Sequence, residues 1–554
     1  MAQAFSMRLS FVPCAAAAPP PADFSPPWFS DNFTLPLQCG ASPTRVLGVG
    51  PFLTEDQFAC ALQCPLHEPV VERQLQRWSA VQPLSVDLAE ESCNFKRMGD
   101  SMGHQFLVYI LDNVLYTRCC AYDKEEKSFC AMTDDETKFH NYRPEDLQLA
   151  HIAELLEVVP IGDVAFTFAT GDGPEPLAQA VQSTGALHLS GSDTETFDTL
   201  AGGNEYMFHQ IHHHEWGADP EHKRKSERNH KPWARRVSKA VFRGSLCGPD
   251  AYHEAQILGW PRSRLVEMAV ERPDLLAVGC SGGDLDKNGR MPSDWGKNRL
   301  TATETARNAA LKKAIDRCRA ADPKKGKIVN FNLEHGSYKF VLNVAGVVAA
   351  WRMVPLLANR AVILQQTLDN QEVPQGWMKP WVHYVPIKRD LSDLFATIEY
   401  LQNHDSVAQR IADAGWHLFH TRVRADNFYC HTYRLLRGLS GLMSPVSEDK
   451  KRQLLTGKGQ FLLRPYQRRP INIRLDIGVF EGYKPGKAFL SLRDRLLNRT
   501  TPGTPLDLRA RLPTYVAGRD YWNFGWDTGK RPPAGQAEGK ATRKAAQKGT
   551  RKKR

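Results

Sequence analysis

The apolar positions of the chain follow two spacings that alternate through its middle part. Residues 104–119 (HQFLVYILDNVLYTRC) alternate apolar and polar positions and are rich in β-branched and aromatic residues, which predicts strands. Residues 146–160 (DLQLAHIAELLEVVP) repeat apolar side chains at helical spacing, and residues 163–170 (DVAFTFAT) are again strand-like. This order of helix and strand is typical of an α/β fold.

The same alternation returns in residues 240–443, after a polar and basic stretch at 201–239. Its strand-like and helix-like segments are residues 264–280, 327–366 and 390–403. Parallel sheets with helical crossovers are the economical way to build such an order. We therefore expect two α/β domains, at 93–239 and 240–443, with a cleft between them.

The two ends of the chain differ from this body. Residues 1–92 form an N-terminal extension that begins rich in Pro and Ala and is expected to be partly disordered. Arg8 followed by LSFVPCAAAA resembles a short secretory signal peptide. Residues 444–529 are a C-terminal extension of unknown role, and residues 530–554 a basic tail that is expected to be disordered.

Charge is concentrated in that tail. The formal net charge is +11, and residues 530–554 hold ten basic residues and one acid, which leaves +2 for the rest of the chain. Because the body is nearly neutral, no nucleic-acid partner is expected. No run of about 18 apolar residues occurs, so no membrane span is expected either.

Twelve cysteines are spread along the chain, and seven of them lie between positions 39 and 130. That density is typical of a region stapled by disulfides in the secretory pathway, although the even count permits disulfides without requiring them. Cys60, Cys64 and His67 could be part of a zinc site, but the spacing is not CxxC and no second ligand pair follows.

The strongest local signal lies at residues 338–359 (YKFVLNVAGVVAAWRMVPLLAN). An apolar strand leads into a turn containing Gly346, and a helix follows, which is where open α/β sheets bind anionic ligands. Arg352 lies in the first turns of that helix and could grip a diphosphate. The spacing equally allows an arginine that merely reaches solvent.

Three further segments carry candidate residues. FRGS, residues 242–245, ends a predicted strand, and Gly244 allows the backbone to approach a ligand closely. Asp172 follows another strand on a Gly-rich turn, where a carboxylate can act as a general base or simply stabilise the turn. Residues 379–394 (KPWVHYVPIKRDLSDL) combine aromatic faces and donors before a helix whose predicted cap is Asp390 or Ser392.

Two segments imitate metal sites. Residues 209–215 contain four histidines and Glu215, but consecutive histidines cannot all face one ion. Residues 284–289 (DLDKNG) resemble the start of a calcium loop, yet Trp295 stands where the bidentate glutamate belongs. We expect no metal site.

Taken together, FRGS, the YKFVLN…G…AAWR stretch, residues 372–381 with KPW, then HYVP, DLSDL and Cys430 before YRLL resemble glycosyltransferase family 90. This family includes the capsule-associated proteins of fungi and the protein O-glucosyltransferases of animals. The resemblance is co-linear from about residue 106 to 442. It implies a GT-B fold, two Rossmann-like domains facing a cleft, and sugar transfer from a UDP-sugar with inversion and without a metal ion or another cofactor.

The resemblance also implies roles for individual residues. Asp172 looks like the catalytic aspartate, and Arg352 with the backbone of residues 346–350 looks like the diphosphate site. The backbone residues of that site are Gly346, Val347, Val348, Ala349 and Ala350. The donor wall would be Phe242, Arg243, Gly244 and Ser245, and further donor or acceptor contacts would be Trp233, Glu372 and His383.

Two departures from the family pattern affect the expected function. Leu246 follows FRGS where relatives that glucosylate protein domains have Arg, and residues 202–217 replace a tryptophan-rich segment. We expect a monomeric enzyme of the endoplasmic reticulum or Golgi lumen that moves glucose or xylose to a protein Ser/Thr or a glycan. The alternative is an inactive family member that binds glycan or polypeptide.

Overall fold

The computed structural model describes the following parts of the chain. They are residues 52–62, 64–65, 68–79, 84–93, 105–119, 144–169, 188–190, 193–194, 200–201, 231–244, 261–280, 316, 335–345, 352–367, 370–371, 373–423, 425–456, 464–465 and 492–497. The secondary structure is mixed, which confirms the predicted α/β class.

The first sheet has six strands in the order β13-β2-β1-β3-β4-β6. Its strands are β1 (Gln105–Leu111), β2 (Val114–Cys119), β3 (Val164–Ala169), β4 (His188–Ser190), β6 (Leu200–Ala201) and β13 (Arg464–Pro465). Only β3, β4 and β6 are parallel, so the sheet differs from the uniformly parallel sheet of a Rossmann-like domain. For β1 and β2 the reason is local, because a two-residue turn with positive φ at Asp112 and Asn113 joins them, and such a turn can join only antiparallel strands.

The second sheet has five strands, all parallel, in the order β12-β10-β9-β7-β8. They are β7 (Val237–Gly244), β8 (Leu276–Cys280), β9 (Tyr338–Asn343), β10 (Val362–Gln366) and β12 (Val385–Ile387). The described crossover helices are α5 (Pro261–Glu271), before β8, and α6 (Met353–Ala358), before β10. In β10 both faces are apolar and buried, because Val362 and Leu364 belong to one core cluster while Ile363 belongs to the other.

Three helices of the predicted N-terminal extension join the core of the first sheet. They are α1 (Glu55–Leu62), α2 (Pro69–Ser79) and α3 (Val86–Cys93). Phe58 and Trp78 are buried in the same cluster as Tyr109 of β1 and Phe166 of β3. These three helices are therefore an integral part of this half of the molecule.

The chain after β12 returns to the first sheet. Helices α8 (Leu394–Asn403) and α9 (Asp405–Thr421) flank the parallel sheet, and α10 (Ala425–Leu442) then packs against α1, α2, β3 and α4 (Pro144–Leu156). Residues assigned to the C-terminal extension continue this layer as α11 (Glu448–Leu455), β13 beside β2, and α12 (Leu492–Leu497) on α4. Lys451 of α11 pairs with Asp112 and Asp163, which ties it to the β1–β2 turn.

A disulfide and a buried polar cluster join the N-terminal helices to α10. Cys64 is bonded to Cys430, and Cys60 is disulfide-bonded as well, so neither thiol is available for zinc. Beside this bond the carboxylate of Glu68 accepts from Trp377 Nε1 at 2.9 Å and lies 3.3 Å from His431 Nδ1. Glu68 and His431 are fully buried, so each satisfies the other's polar group.

In the part of the chain that the structure describes, no helix has the length and apolar character that a membrane crossing requires.

Candidate active site

The order of the parallel sheet predicts a ligand crevice between β7 and β9. Counted along the chain, its strands follow the doubly wound order 2-1-3-4-5. In that order the connection from β7 leaves toward one side and the connection from β9 toward the other, so the loops diverge where these strands end. The residues at the carboxyl ends of β7 and β9 therefore border the expected site.

Phe242 and Arg352 meet at this point, although 110 positions separate them in the chain. Arg352 immediately precedes α6, at its N-cap, and its Nη1 donates to the carbonyl oxygen of Arg243 at 2.8 Å. Its guanidinium carbon lies 4.9 Å from the ring centroid of the buried Phe242. The end of β7 and Arg352 are thus brought together, with a cation over an aromatic face.

Gly244 makes this approach possible. A Cβ at this position would lie 3.0 Å from Arg352 Nη2 and 3.1 Å from Phe242 Cζ. Any larger residue would push the guanidinium or the ring from its place. The glycine of FRGS is therefore needed for close packing of the arginine, which is the kind of role that its sequence context suggested.

Arg262 is a residue of this site that our sequence reasoning missed. It lies in the first turn of α5, is 5% exposed, and donates from Nε and Nη2 to the carbonyl oxygen of Val344. Its guanidinium carbon is 5.6 Å from the same Phe242 ring. An arginine at the start of the helix after the first strand of a parallel sheet is the signal that could have found it.

Arg243 lies against the neighbouring strand. Its Nη1 donates to the carbonyl oxygens of Phe242 and Ala277, each at 2.9 Å, and its side chain covers Gly279. This arrangement places its charge over β7 and β8, to one side of the Arg352 position.

Amide side chains order the ends of β9 and β10. Asn343 Nδ2 donates to Gln365 Oε1 at 2.6 Å, and Gln366 Oε1 accepts from the backbone N–H of Ala345 at 2.9 Å. Asn343 Oδ1 is buried and receives no hydrogen bond from the described residues. Such a buried acceptor beside a switch point is the kind of atom that a ligand donor can satisfy.

Two predicted contact residues lie at the opposite, amino edge of the sheet. Trp233 precedes β7, and its Nε1 donates to Asp405 at 3.0 Å. His383 precedes β12, and its Nδ1 accepts from the backbone N–H of Lys379 at 2.9 Å. At about 3.3 Å per residue β7 spans more than 20 Å, so the Trp233 side chain does not join Arg352. The role predicted for His383 stays a prediction.

The predicted helix cap in residues 379–394 is wrong. The N-cap of α8 is Asp393, whose Oδ1 accepts from the backbone N–H of Lys388. Asp390 instead closes the preceding turn by accepting from the N–H of Ser392, and this bond lowers the pKa of the Asp390 carboxyl. Asp390 and Asp393 are only three positions apart, and the sequence does not indicate which of them caps the helix.

Several predicted residues lie outside the described part of the chain. These are Asp172, Ser245, Gly346, Val347, Val348, Ala349, Ala350 and Glu372, together with residues 209–215 and 284–289. Strand β3 ends at Ala169, three positions before Asp172, so the strand predicted to carry the aspartate is present.

A short ladder links the carboxyl edges of both sheets. β5 (Asp193–Thr194) begins three residues after the end of β4, and β11 (Asn370–Gln371) begins four residues after the end of β10. The two segments pair antiparallel, Asn370 with Thr194 and Gln371 with Asp193. The segment that follows β4, at the edge where β3 ends, therefore contacts the segment that follows β10, at the edge where β7 and β9 end.

A doubly wound parallel sheet with two arginines at its switch point defines an α/β protein suited to a phosphate-bearing ligand. The model of Glycosyl transferase family 90 matches residues 145–457, which is more than half of the chain. The protein belongs to this family.

Curated relatives align with shorter parts of the chain. Protein O-glucosyltransferase 2 of Danio rerio is 37% identical over 115 residues, 21% of this chain and 23% of its own length. Protein O-glucosyltransferase 3 of Rattus norvegicus is 28% identical over 205 residues, 37% of this chain and 32% of its own. Protein O-glucosyltransferase 1 of Homo sapiens is 25% identical over 213 residues, 38% of this chain and 44% of its own. In each case the match spans less than half of the relative.

Proposed function

We propose that this family 90 glycosyltransferase moves glucose or xylose from a UDP-sugar to a hydroxyl of a protein Ser/Thr or of a glycan, with inversion and without a metal ion. The arrangement would be GT-B, with the donor on the parallel sheet and the acceptor on the first sheet. The observation that carries the proposal is the meeting of Arg352 and Arg262 at the switch point between β7 and β9.

The two arginines supply the charge that a UDP leaving group needs. As the bond to the anomeric carbon breaks, negative charge grows on the diphosphate, and preorganised cations stabilise it most strongly in the transition state. The bond from Arg352 Nη1 to the Arg243 carbonyl fixes the plane of that guanidinium before the ligand arrives. With this charge in place, a divalent cation is not needed, and the UDP-sugar is a co-substrate without a further cofactor.

Asp172 would act on the acceptor side. Its carboxylate takes the proton of the acceptor hydroxyl while that oxygen attacks the anomeric carbon from the face opposite UDP, so the configuration inverts. Support comes from its place three residues after β3 and from the β5–β11 ladder, which joins the edge containing β3 to the edge containing Arg352.

The acceptor and compartment follow from two separate observations. The names of the relatives indicate protein O-glucosylation, which makes a Ser or Thr hydroxyl our first choice. The Cys64–Cys430 disulfide supports an oxidising compartment, the lumen of the endoplasmic reticulum or Golgi.

The direct test compares wild type with Asp172→Asn, using UDP-glucose and UDP-xylose with panels of protein-domain and glycan acceptors. We expect transfer by wild type with one donor, and a loss of about 10²- to 10⁴-fold in Asp172→Asn, because the base is gone while the shape is kept. UDP affinity should be unchanged in the variant. Equal transfer by both proteins would exclude Asp172 as the base.

The alternative is a member of the family that binds its ligand without transfer. Leu246 after FRGS and the position of Arg243 over β8 favour it. That protein would bind glycan or polypeptide, would not be stabilised against heat by UDP and would transfer neither sugar to any acceptor, whereas the enzyme would be stabilised by UDP and would transfer sugar.

A further inference from the structure

A cavity of about 460 Å³ lies at the amino edge of the parallel sheet, the edge opposite the candidate active site. Its volume falls in the range of small-molecule sites. Two indole rings, Trp233 and Trp416, form part of its wall, and the charged residues that line it are Lys231, Arg236, Arg360 and Asp413.

Arg236 is the unusual member of this set. It is only 7% exposed, and it donates from Nε to the carbonyl oxygen of Lys231 and from Nη1 to those of Asn359 and Arg360. Among the described residues none of its hydrogen bonds uses Nη2, and no carboxylate forms an ion pair with it. Buried arginines are normally paired, so this one lies beside the cavity without a counter-ion.

The nearest carboxylate is already engaged. Asp413 Oδ1 pairs with Arg360 Nε at 2.5 Å, which balances one of the three cations. Arg236 and Lys231 remain as excess positive charge. Burial and then the charge of Arg360 lower the pKa of Arg236 to about 10, with Asp413 acting weakly in the opposite direction. The surroundings of the cavity therefore disfavour the charged form of Arg236, as expected for a site that lacks an anion.

The indole rings in the cavity wall favour a ligand that contains a ring. The Arg360 guanidinium carbon is 5.2 Å from the centroid of Trp416, and that of Arg236 is 5.9 Å from the centroid of Trp233. Aromatic walls beside cations suit a ligand that has both a ring and a negative group.

We propose that this amino-edge cavity binds an oxyanion on a sugar-sized ring, that is, a phosphorylated or carboxylated sugar. It is a second ligand site, separated from Arg352 by the length of β7, and it does not depend on the function proposed above.

The test is calorimetric titration of the full chain carrying Arg352→Ala, so that phosphate binding at the carboxyl edge is weakened. The probes are glucose 6-phosphate, glucuronate and neutral glucose. We expect at least one of the two anions to bind saturably and glucose to bind at least about tenfold more weakly. The stronger of the two anions identifies the charged group. Failure of both anions to bind, or equal binding of glucose, would overturn the proposal.

A matched pair of variants locates the site. Gln409 lines the same cavity as Arg236 and is half-buried, so Gln409→Glu adds a carboxylate to the cavity wall with little change in shape. We expect Gln409→Glu to weaken anion binding about tenfold or more, and Gln409→Ala to keep it within about threefold. Circular dichroism verifies that both variants fold. If the two variants bind the anion equally, it binds elsewhere and the proposal fails. Arg236 itself is left intact because it also tethers β7 to the α6–β10 turn.

Discussion

At the carboxyl edge of the parallel sheet, Arg352 and Arg262 lie against one buried phenylalanine, each anchored to a backbone carbonyl at the end of β7 or just beyond β9. At the amino edge, Arg236 is likewise anchored to carbonyls, but these belong to the segment before β7 and to the end of α6. The residue type and the mode of anchoring are the same at both edges.

The difference lies in what the topology places around them. At the carboxyl edge the strand order sends the connections from β7 and β9 to opposite sides of the sheet, which is where open α/β sheets bind ligands. At the amino edge α9 covers the cavity with Trp416, Gln409 and Asp413, which leaves only the volume of a small molecule. In our two proposals, backbone-anchored arginines bind anions at both ends of the strands, and the surrounding connections set the size of the ligand.

Replacing Arg352 should have the largest effect, and it should change ligand binding at the carboxyl edge alone. In Arg352→Ala we expect UDP affinity to fall about 10- to 100-fold, the range for loss of a charged hydrogen bond, measured by calorimetry. Gln409→Glu, at the other edge, is the control and should leave UDP affinity within about twofold. Unchanged affinity in Arg352→Ala would reject the diphosphate role, and an equal loss in Gln409→Glu would mean that the edges are coupled.

Gly415→Ala should lower the stability of the fold without changing UDP binding at the carboxyl edge. Gly415 lies in α9, where an added Cβ would be 2.8 Å from the carbonyl oxygen of His383, and a backbone atom cannot easily move away. We expect unfolding in denaturant to become easier by about 1–3 kcal/mol. UDP affinity of the folded protein should persist.

The matched control is Gly441→Ala in α10. A Cβ there meets nothing within 4 Å, so the change should stabilise the helix by about 0.5–1 kcal/mol. If Gly415→Ala lowered UDP affinity as much as Arg352→Ala, His383 would be a donor contact after all.

Gly244→Ala should have a smaller effect at the carboxyl edge. The added methyl reaches Arg352 Nη2 at 3.0 Å, and a flexible side chain can yield where a backbone atom cannot. We expect UDP affinity to fall about three- to tenfold, with stability nearly unchanged, as measured by calorimetry and thermal unfolding. No loss of affinity would show that the position of Arg352 over Phe242 is not the binding position.

Elements with strong local patterns could be predicted from the sequence. Strands β1, β3, β7, β9 and β10 lie where apolar runs predicted them, because a buried strand must be apolar over several consecutive residues. The resemblance assigned FRGS and Arg352 to one donor site, and this role stays a prediction. In the structure Arg352 Nη1 donates to the carbonyl oxygen of Arg243. The helices at 55–93 were not predicted, since they are short and cross a segment that composition assigned to an extension.

The edge at which a residue lies was beyond the sequence. Trp233 and His383 stand close in the chain to strands of the parallel sheet, and the local pattern does not reveal that both precede their strands on the amino side. Arg262 was missed because it lies eighteen positions after the end of β7, and only the folded position of α5 brings it back beside that strand.

By itself, therefore, the sequence determined the α/β class, the positions of the main strands along the chain, and the residue types in FRGS and around Arg352. Local apolar spacing and residue type carry that information. Only the tertiary structure decided that β1 pairs antiparallel with β3, that the helices between 55 and 93 and the described segments after 443 pack onto the first sheet, and that arginines gather at both edges of the second. Those features depend on contacts between residues far apart in the chain, and no local pattern encodes them.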